Sequence, residues 1–314
     1  MPDAAPGGGT PDGGTPAGGT PGGGSPGIAG APNALSPARY LAWLYSPPPQ
    51  QAMLAALCEI ENEVAGSLRP GIDHHVAHAR LQWWREECER LTEGRPVHPL
   101  TRELLKAHGD TRAEPSPLTG ISGFVDTAVW DLAGATFETR KELTAYCERW
   151  ATAMFEPAAA RSEPHGTLAG SAPPAASPRW RTLGAALREI ELLANLAPEA
   201  HAGRLRLPLD ELERAGADAR SLAKVPWPAP LATLLRERHK ALRATIADGA
   251  AHLEPAEQAN SRGLLVWAAL AWHQSQRAER ALPNATQSRR YHALTDGWQA
   301  WRAARRAATG TLRL

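Results

Sequence analysis

The sequence predicts an all-α protein, and three observations support that prediction. β-branched and aromatic residues rarely alternate with polar residues, so the pattern typical of strands is almost absent. Ala, Leu, Glu and Arg, which are strong helix formers, fill long segments of the chain. Pro and Gly bound those segments, as is typical of helix starts and ends.

The helical pattern divides the chain into about ten segments. These lie near residues 37–45, 50–68, 73–92, 99–108, 118–133, 139–160, 177–196, 226–249, 255–280 and 287–307. Ser46, Pro47 and Pro48 precede the second helix, Asp73 is a predicted N-cap of the third, and Pro255 opens the penultimate one.

The chain is predicted to contain one folded domain, residues 35–314, after an N-terminal tail. Residues 1–34 consist almost entirely of Gly, Pro, Ala, Ser, Thr and Asp, with no large apolar side chain before Ile28. Such a segment cannot offset the entropy of ordering, so we expect a disordered tail. The remaining chain, roughly 280 residues, is long enough for one sizeable hydrophobic core.

Charge and cysteine content exclude several classes of protein. The net charge is +1 with acids and bases interspersed, so nucleic acid is not a predicted partner. Three widely spaced cysteines, Cys58, Cys88 and Cys147, fit neither a disulfide framework nor a zinc site. That pattern favours a reducing, cytoplasmic location.

Two segments bear on membrane contact. The longest apolar run, residues 263–272, is too short to span a bilayer. The segment from Trp298 to Arg306 places two tryptophans and three arginines at helical spacing. It is predicted either to lie on the inner face of the membrane or to close the helical bundle as an amphipathic helix.

Several motifs resemble, in order, the squalene/phytoene synthase family, in particular its short bacterial members and its assembly-factor branch. The most specific is RLQWWREECERLTEGR at residues 80–95, followed by Pro96, His98 and Pro99. RYLAWLYSPPPQQAMLAAL at residues 39–57 and GRLRLP at residues 203–208 are further matches. The resemblance implies the isoprenoid-synthase fold, a helical bundle around a central apolar cavity.

The resemblance also implies two aspartate motifs that hold magnesium against a substrate diphosphate, and both are depleted here. In the second motif, Asn195 and Glu199 occupy the aspartate positions and Ala194 replaces an arginine. Glu199 is the one metal-ligand candidate there. It is a weak one, because a hard cation needs several oxygen ligands.

The first motif has two possible registers on the second helix. One places its aspartates at Asn62 and Gly66, the other at Ala65 and Arg69, and neither leaves a carboxylate pair. A shifted site using Glu59 and Glu63 is an alternative, as is a solvated helix face.

Four residues are candidates for substrate binding on the strength of the resemblance: Arg80, Trp84, Arg204 and Trp267. The alternative for both tryptophans is ordinary core packing.

The predicted function is a pseudoenzyme of this family that binds an isoprenoid or membrane lipid, or a protein partner in an assembly role, without a cofactor. The alternative is an active prenyl transferase of isoprenoid biosynthesis that uses Glu59, Glu63, Asn195 and Glu199 with magnesium.

Overall fold

Helices form the regular structure of this protein. The computed structural model describes residues 35–109, 116–160, 178–284 and 292–314, and these ranges contain no strand. The all-α prediction is therefore confirmed. The predicted N-terminal tail lies outside the described residues.

The helices follow one another with short connections. The first seven are α1 (Pro37–Tyr45), α2 (Pro48–Gly66), α3 (His74–Thr92), α4 (Pro99–His108), α5 (Gly123–Leu132), α6 (Arg140–Ala160) and α7 (Pro178–Leu193). The others are α8 (Leu196–His201), α9 (Leu209–Arg214), α10 (Ala219–Ala223), α11 (Ala229–Ala251), α12 (Pro255–Asn260), α13 (Arg262–Ala281) and α14 (Ala293–Ala308). A 3-10 helix, Pro117–Ser122, precedes α5.

Local sequence explains many of the helix starts. Proline occupies a first-turn position in α1, α2, α4, α11 and α12, where its missing N–H removes no helical hydrogen bond. The Asp73 carboxylate accepts hydrogen bonds from the backbone N–H groups of His75, at 2.8 Å, and Val76. The predicted cap of the third helix is thus confirmed.

The helix predicted over residues 118–133 is a 3-10 helix followed by α5, and the helix predicted over residues 255–280 is divided in two. The pattern over residues 255–280 predicts a continuous helix, but the chain leaves helical geometry at Ser261, with φ −103° and ψ 22°. The break precedes Gly263, whose missing side chain lets α13 approach α1. A Cβ at Gly263 would overlap the Ser46 hydroxyl and the Ala42 carbonyl. Close packing of the two backbones therefore overrides the continuous apolar pattern.

The long helices pack as successive neighbours around one core. α6 packs on α7, α7 on α11, α11 on α13, and α13 on both α1 and α14. α2 packs against α4, α5 and α6. Trp150, Phe155 and Trp267 are fully buried where α6 meets α13.

The RLQWWREE and GRPVHP motifs are joined by one buried carboxylate, and we call this arrangement the Glu87 clamp. Glu87 on α3 accepts hydrogen bonds from the backbone N–H groups of Val97, at 2.9 Å, and His98, at 2.8 Å. It also accepts one from the Thr101 hydroxyl and one from Arg90 Nε, at 2.8 Å. The clamp fixes the turn between α3 and α4.

Among the described helices, none is both long and apolar enough to cross a bilayer.

Candidate functional site

A polar pocket of about 410 Å³ opens where the end of α2, the end of α5 and the GRLRLP segment meet. We call it the mouth pocket. It is lined by Ser67, Leu68, Arg69, Ile72, Ala77, Asp131, Leu132, Glu199, Arg204 and Arg206.

The turn at Gly203 positions part of this lining. Gly203 has φ 79°, a left-handed conformation that glycine adopts without strain. The chain reverses there, and the Arg204 N–H donates to the Glu199 carbonyl at 2.8 Å. The turn brings the Arg204 guanidinium back over the Glu199 carboxylate, with Nε 2.7 Å from Oε2 and Nη2 3.1 Å from Oε1.

Both carboxylates of the mouth pocket are held by arginine. Arg206 is buried, and its Nη1 donates to Asp131 Oδ1 at 2.6 Å while its Nε donates to Glu199 Oε2 at 3.1 Å. Burial alone would raise the pKa of Glu199, but Arg204 and Arg206 outweigh it and hold that pKa below the usual range. Glu199 is therefore charged, and both carboxylates are already paired with arginines of the chain.

Positive charge exceeds negative charge in the mouth pocket. Three guanidinium groups, from Arg69, Arg204 and Arg206, face two carboxylates. Arg69 is exposed, and its guanidinium lies beside Gly66, with Nη2 3.4 Å from the position that a Cβ there would take.

A second cluster lies between α1, α2 and α7, and we call it the ion-pair quartet: Arg39, Glu61, Arg188 and Glu191. Arg39 Nη1 donates to Glu61 Oε2 at 2.5 Å, and Arg188 Nη1 donates to Glu191 Oε2 at 3.0 Å. Two longer contacts close the ring, Arg39 to Glu191 at 3.8 Å and Arg188 to Glu61 at 3.9 Å. Each side chain keeps 11 to 24% of its surface exposed, so the quartet borders space that water reaches.

Two tryptophans hold the quartet in place. Trp150 Nε1 donates to Glu61 Oε1 at 2.7 Å, and the Arg188 guanidinium lies 5.0 Å from the centre of the Trp150 ring. The Arg39 guanidinium lies 5.1 Å from the Trp267 ring. Burial would raise the pKa of Glu61, yet the charges of Arg39 and Arg188 hold it below the usual range.

Tyr146 connects the quartet to the mouth pocket. Its hydroxyl donates to Asp131 Oδ2 at 3.1 Å and also interacts with Arg188. Burial raises the pKa of Tyr146 to about 12, so the phenol stays protonated at neutral pH. A continuous polar path therefore runs from the quartet through Tyr146 and Asp131 to Arg206.

Residues 33–296 match the squalene/phytoene synthase family. The chain belongs to that family. No curated protein sequence matches it significantly.

Solved structures of family members share the fold. A dehydrosqualene synthase, whose crystal structure was determined in complex with a ligand, is similar with a TM-score of 0.65 and 15% identity, over 87% of this chain and 90% of the other. The squalene synthase HpnC from Alicyclobacillus acidocaldarius is similar with a TM-score of 0.56 and 16% identity, over 76% of this chain and 87% of the other. The predicted isoprenoid-synthase fold is confirmed.

The acids proposed from the family motifs do not converge. Glu199 lines the mouth pocket, whereas Glu63 is exposed and Glu59 half-buried on α2, and neither lines it. Asn195 donates its side-chain amide to the Glu191 carbonyl at 3.0 Å, one turn back along the chain. Within the described residues, no three His, Cys, Asp or Glu side chains are grouped so that they could hold a metal ion.

The four substrate-binding candidates lie in different surroundings. Arg204 lines the mouth pocket, and Trp267 is buried beside the quartet. Trp84 is buried with its ring centre 4.9 Å from that of His98, next to the Glu87 clamp. Arg80 is exposed on α3.

Sequence reasoning missed the quartet. Two signals in the sequence could have indicated it. Arg188 and Glu191 are three residues apart on α7, and Arg39 lies inside an apolar segment of α1. The sequence singled out Glu59 and Glu63 on α2 and not Glu61. A two-residue step on a helix turns a side chain by about 200°, so Glu61 points away from both and towards the quartet.

Proposed function

We propose that this family member is a pseudoenzyme that uses the isoprenoid-synthase fold to bind an isoprenoid or another lipid, without condensing prenyl diphosphates. One observation carries the proposal. At the mouth pocket, the carboxylates that would be needed to hold metal ions are already paired with arginines of the chain itself.

The chemistry of magnesium supports this proposal. Magnesium requires several oxygen ligands in tight octahedral geometry, and it would have to displace Arg206 from both Asp131 and Glu199. Three nearby guanidinium groups would also repel a divalent cation. The residues present therefore do not fit a magnesium–diphosphate clamp.

The surroundings of the quartet favour a ligand of mixed character. Trp150 and Trp267 are buried and form an apolar aromatic backing to the quartet, while Arg39, Arg188 and Glu191 are charged groups that keep some exposure. Arg188 Nε is buried without a hydrogen-bond acceptor among the described residues. The oxygen of a lipid headgroup or alcohol would supply that acceptor. That the related dehydrosqualene synthase binds a ligand supports binding as the function that remains.

A protein partner in an assembly role and a cytoplasmic location stay predictions from the sequence. No described contact assigns residues to either.

Diphosphate release separates binding from catalysis. The purified full-length chain is incubated with farnesyl or geranylgeranyl diphosphate and magnesium, and the expected release does not exceed that of buffer. Turnover that Glu199→Gln abolishes, while the exposed control Glu213→Gln leaves it unchanged, would overturn the pseudoenzyme proposal in favour of the prenyl transferase.

Lipid binding is tested separately with farnesol and geranylgeraniol, which carry no diphosphate. Binding measured by native mass spectrometry is expected to persist in the presence of a metal chelator. If neither alcohol binds and organic extraction of the purified protein recovers no lipid, the fold is only a scaffold and the binding proposal fails.

A further inference from the structure

The outer face of α14 carries large apolar side chains that no described part of the chain covers. Leu294 is 90% exposed, Trp298 56% and Trp301 40%. Their spacing of four and three residues places them on one face of the helix, and Arg305, four residues further, continues it.

The opposite face of α14 already closes the bundle. Ala300, Ala303, Ala304 and Ala307 are buried where α14 packs on α13. The helix is thus anchored without its tryptophans, so their exposure is not a defect of core packing. The two alternatives predicted for this segment therefore concern different sides of α14: its alanine face closes the bundle, and its tryptophan face is free to meet a membrane.

The two exposed tryptophans form a flat aromatic ridge. Their ring centres are 4.8 Å apart and the rings are tilted by only 24°. The Arg305 guanidinium lies 5.5 Å from the Trp301 ring, which places a cation beside the apolar surface. Tryptophan with flanking arginine is typical of segments that lie in the headgroup region of a bilayer.

A positively charged pocket adjoins this ridge. Arg302, Arg306 and Arg313 line a pocket of about 160 Å³ between α13 and α14, together with His273 and Gln299. That volume has room for several water molecules and hence for a phosphate group. Its lining residues include three guanidinium groups and no acidic side chain, so the pocket is positive.

Negative charge is missing from the exposed surface of α14. Its one acidic residue, Asp296, is buried and accepts a hydrogen bond from Arg277 Nη1 at 2.7 Å. Arg302, Arg305 and Arg306 have no carboxylate partner among the described residues. These cations are therefore available to an external anion.

We propose that the outer face of α14 binds the surface of an anionic phospholipid bilayer. Leu294, Trp298 and Trp301 lie among the headgroups, and Arg302 and Arg306 pair with lipid phosphates. Because the ridge and the guanidinium groups share one helix, apolar burial and charge attraction act on the same membrane plane. The proposal is independent of whether the interior binds a ligand.

Vesicle cosedimentation of the full-length chain tests the charge requirement. We expect the chain to bind vesicles that mix phosphatidylglycerol with phosphatidylcholine, and to bind vesicles of phosphatidylcholine alone much more weakly. Binding to the mixed vesicles should fall as salt is added. Equal binding to both vesicle types would overturn the proposal, as would binding to neither.

Two sets of variants locate the surface. The double variant Trp298→Ala/Trp301→Ala is expected to weaken vesicle partitioning by about tenfold or more, which corresponds to about 1.4 kcal/mol. Trp83→Ala on α3, where the tryptophan is 39% exposed, is the matched control and should leave partitioning unchanged. Arg302→Gln/Arg306→Gln should remove the preference for phosphatidylglycerol, whereas the exposed Arg236→Gln on α11 should not.

Two further measurements complete the test: the first checks that the variants fold, and the second separates this surface from a protein interface. Circular dichroism of each variant should match that of the unchanged chain, since none of the replaced side chains is buried in the core. The arginine pair gives an independent test if the tryptophan pair does not fold. If the chain self-associates, the tryptophan variant disrupts the oligomer and vesicles do not bind, the face joins two copies of the chain and the bilayer proposal is wrong.

Discussion

Glu87 and Glu199 are both glutamates whose hydrogen bonds hold their pKa below the usual range, yet they belong to regions with different roles. Glu87 is fully buried and joins the RLQWWREE and GRPVHP motifs. Glu199 is 23% exposed in the mouth pocket, where it pairs with Arg204 and Arg206. The comparison indicates that a buried carboxylate with four donors fixes a turn of the fold, whereas a partly exposed carboxylate paired with two arginines lines a pocket.

The first prediction concerns the Glu87 clamp and has the largest expected effect. Glu87→Ala leaves two backbone N–H groups and the Thr101 hydroxyl without their acceptor, and it leaves Arg90 without its partner. We expect a loss of about 3 kcal/mol or more in the free energy of unfolding, measured by chemical denaturation.

The matched control is Glu89→Ala, an exposed position on the same helix, which should change stability by less than about 0.5 kcal/mol. Equal effects at the two positions would contradict the role assigned to the clamp.

The second prediction concerns the ion-pair quartet, whose expected effect on the free energy of unfolding is smaller than that of the Glu87 clamp and larger than that of the mouth pocket. Arg39→Met leaves Glu61 with little exposure and without its closest cation, so we expect a loss of about 2–3 kcal/mol. Arg39→Met/Glu61→Gln removes both charges, keeps an amide oxygen as the acceptor for Trp150 Nε1 and should recover most of that loss. If the double variant is instead as unstable as the sum of its single changes, the two side chains are not coupled.

The third prediction uses pH to isolate Glu87. Its pKa is lowered from 4.5 in the folded state, because hydrogen bonds from Thr101, His98 and Arg90 outweigh the effect of burial. The unfolded chain therefore binds more protons, so stability falls as pH drops from about 4.5 through the folded pKa. Glu87→Gln should remove about 1.5 kcal/mol of stability at pH 7 and flatten this acid limb. An unchanged slope below pH 4.5 would show that other carboxyls govern acid unfolding.

The fourth prediction has the smallest effect and completes the comparison. Glu199→Gln should reduce stability by less than about 1 kcal/mol, because Arg204 is 44% exposed to water, buried Arg206 keeps its ion pair with Asp131, and the glutamine oxygen can still accept a hydrogen bond. Thermal unfolding of the full-length chain measures the change. A loss as large as that of Glu87→Ala would mean that the mouth pocket also holds the fold.

Local features were predictable from the sequence, and distant pairings were not. The bounds of α1 and α4 were predicted as observed, because proline and the apolar period act over a few residues. The short helices α8, α9 and α10 were missed, since each has only five or six residues. They depend on tertiary packing rather than on helix propensity.

The candidate site was predictable only in part. GRLRLP fixed the register of Glu199, and the structure places that residue in the mouth pocket. The quartet joins Arg39 to Glu61, 22 residues away, and to α7 through Glu191. Nothing in the local pattern distinguishes such charges from a solvated helix face, because partners far apart in sequence decide their burial.

The contact between Gly66 and Arg69 limits how this chain could change in evolution. An aspartate at Gly66 would begin 3.4 Å from the Arg69 guanidinium, so the new carboxylate would form an ion pair with it. One substitution therefore adds an acid that is neutralised at once, with no gain for selection to act on. A metal-binding pair of acids at this position would require Arg69 and Arg206 to be replaced as well, so the present arginines oppose the appearance of such a site.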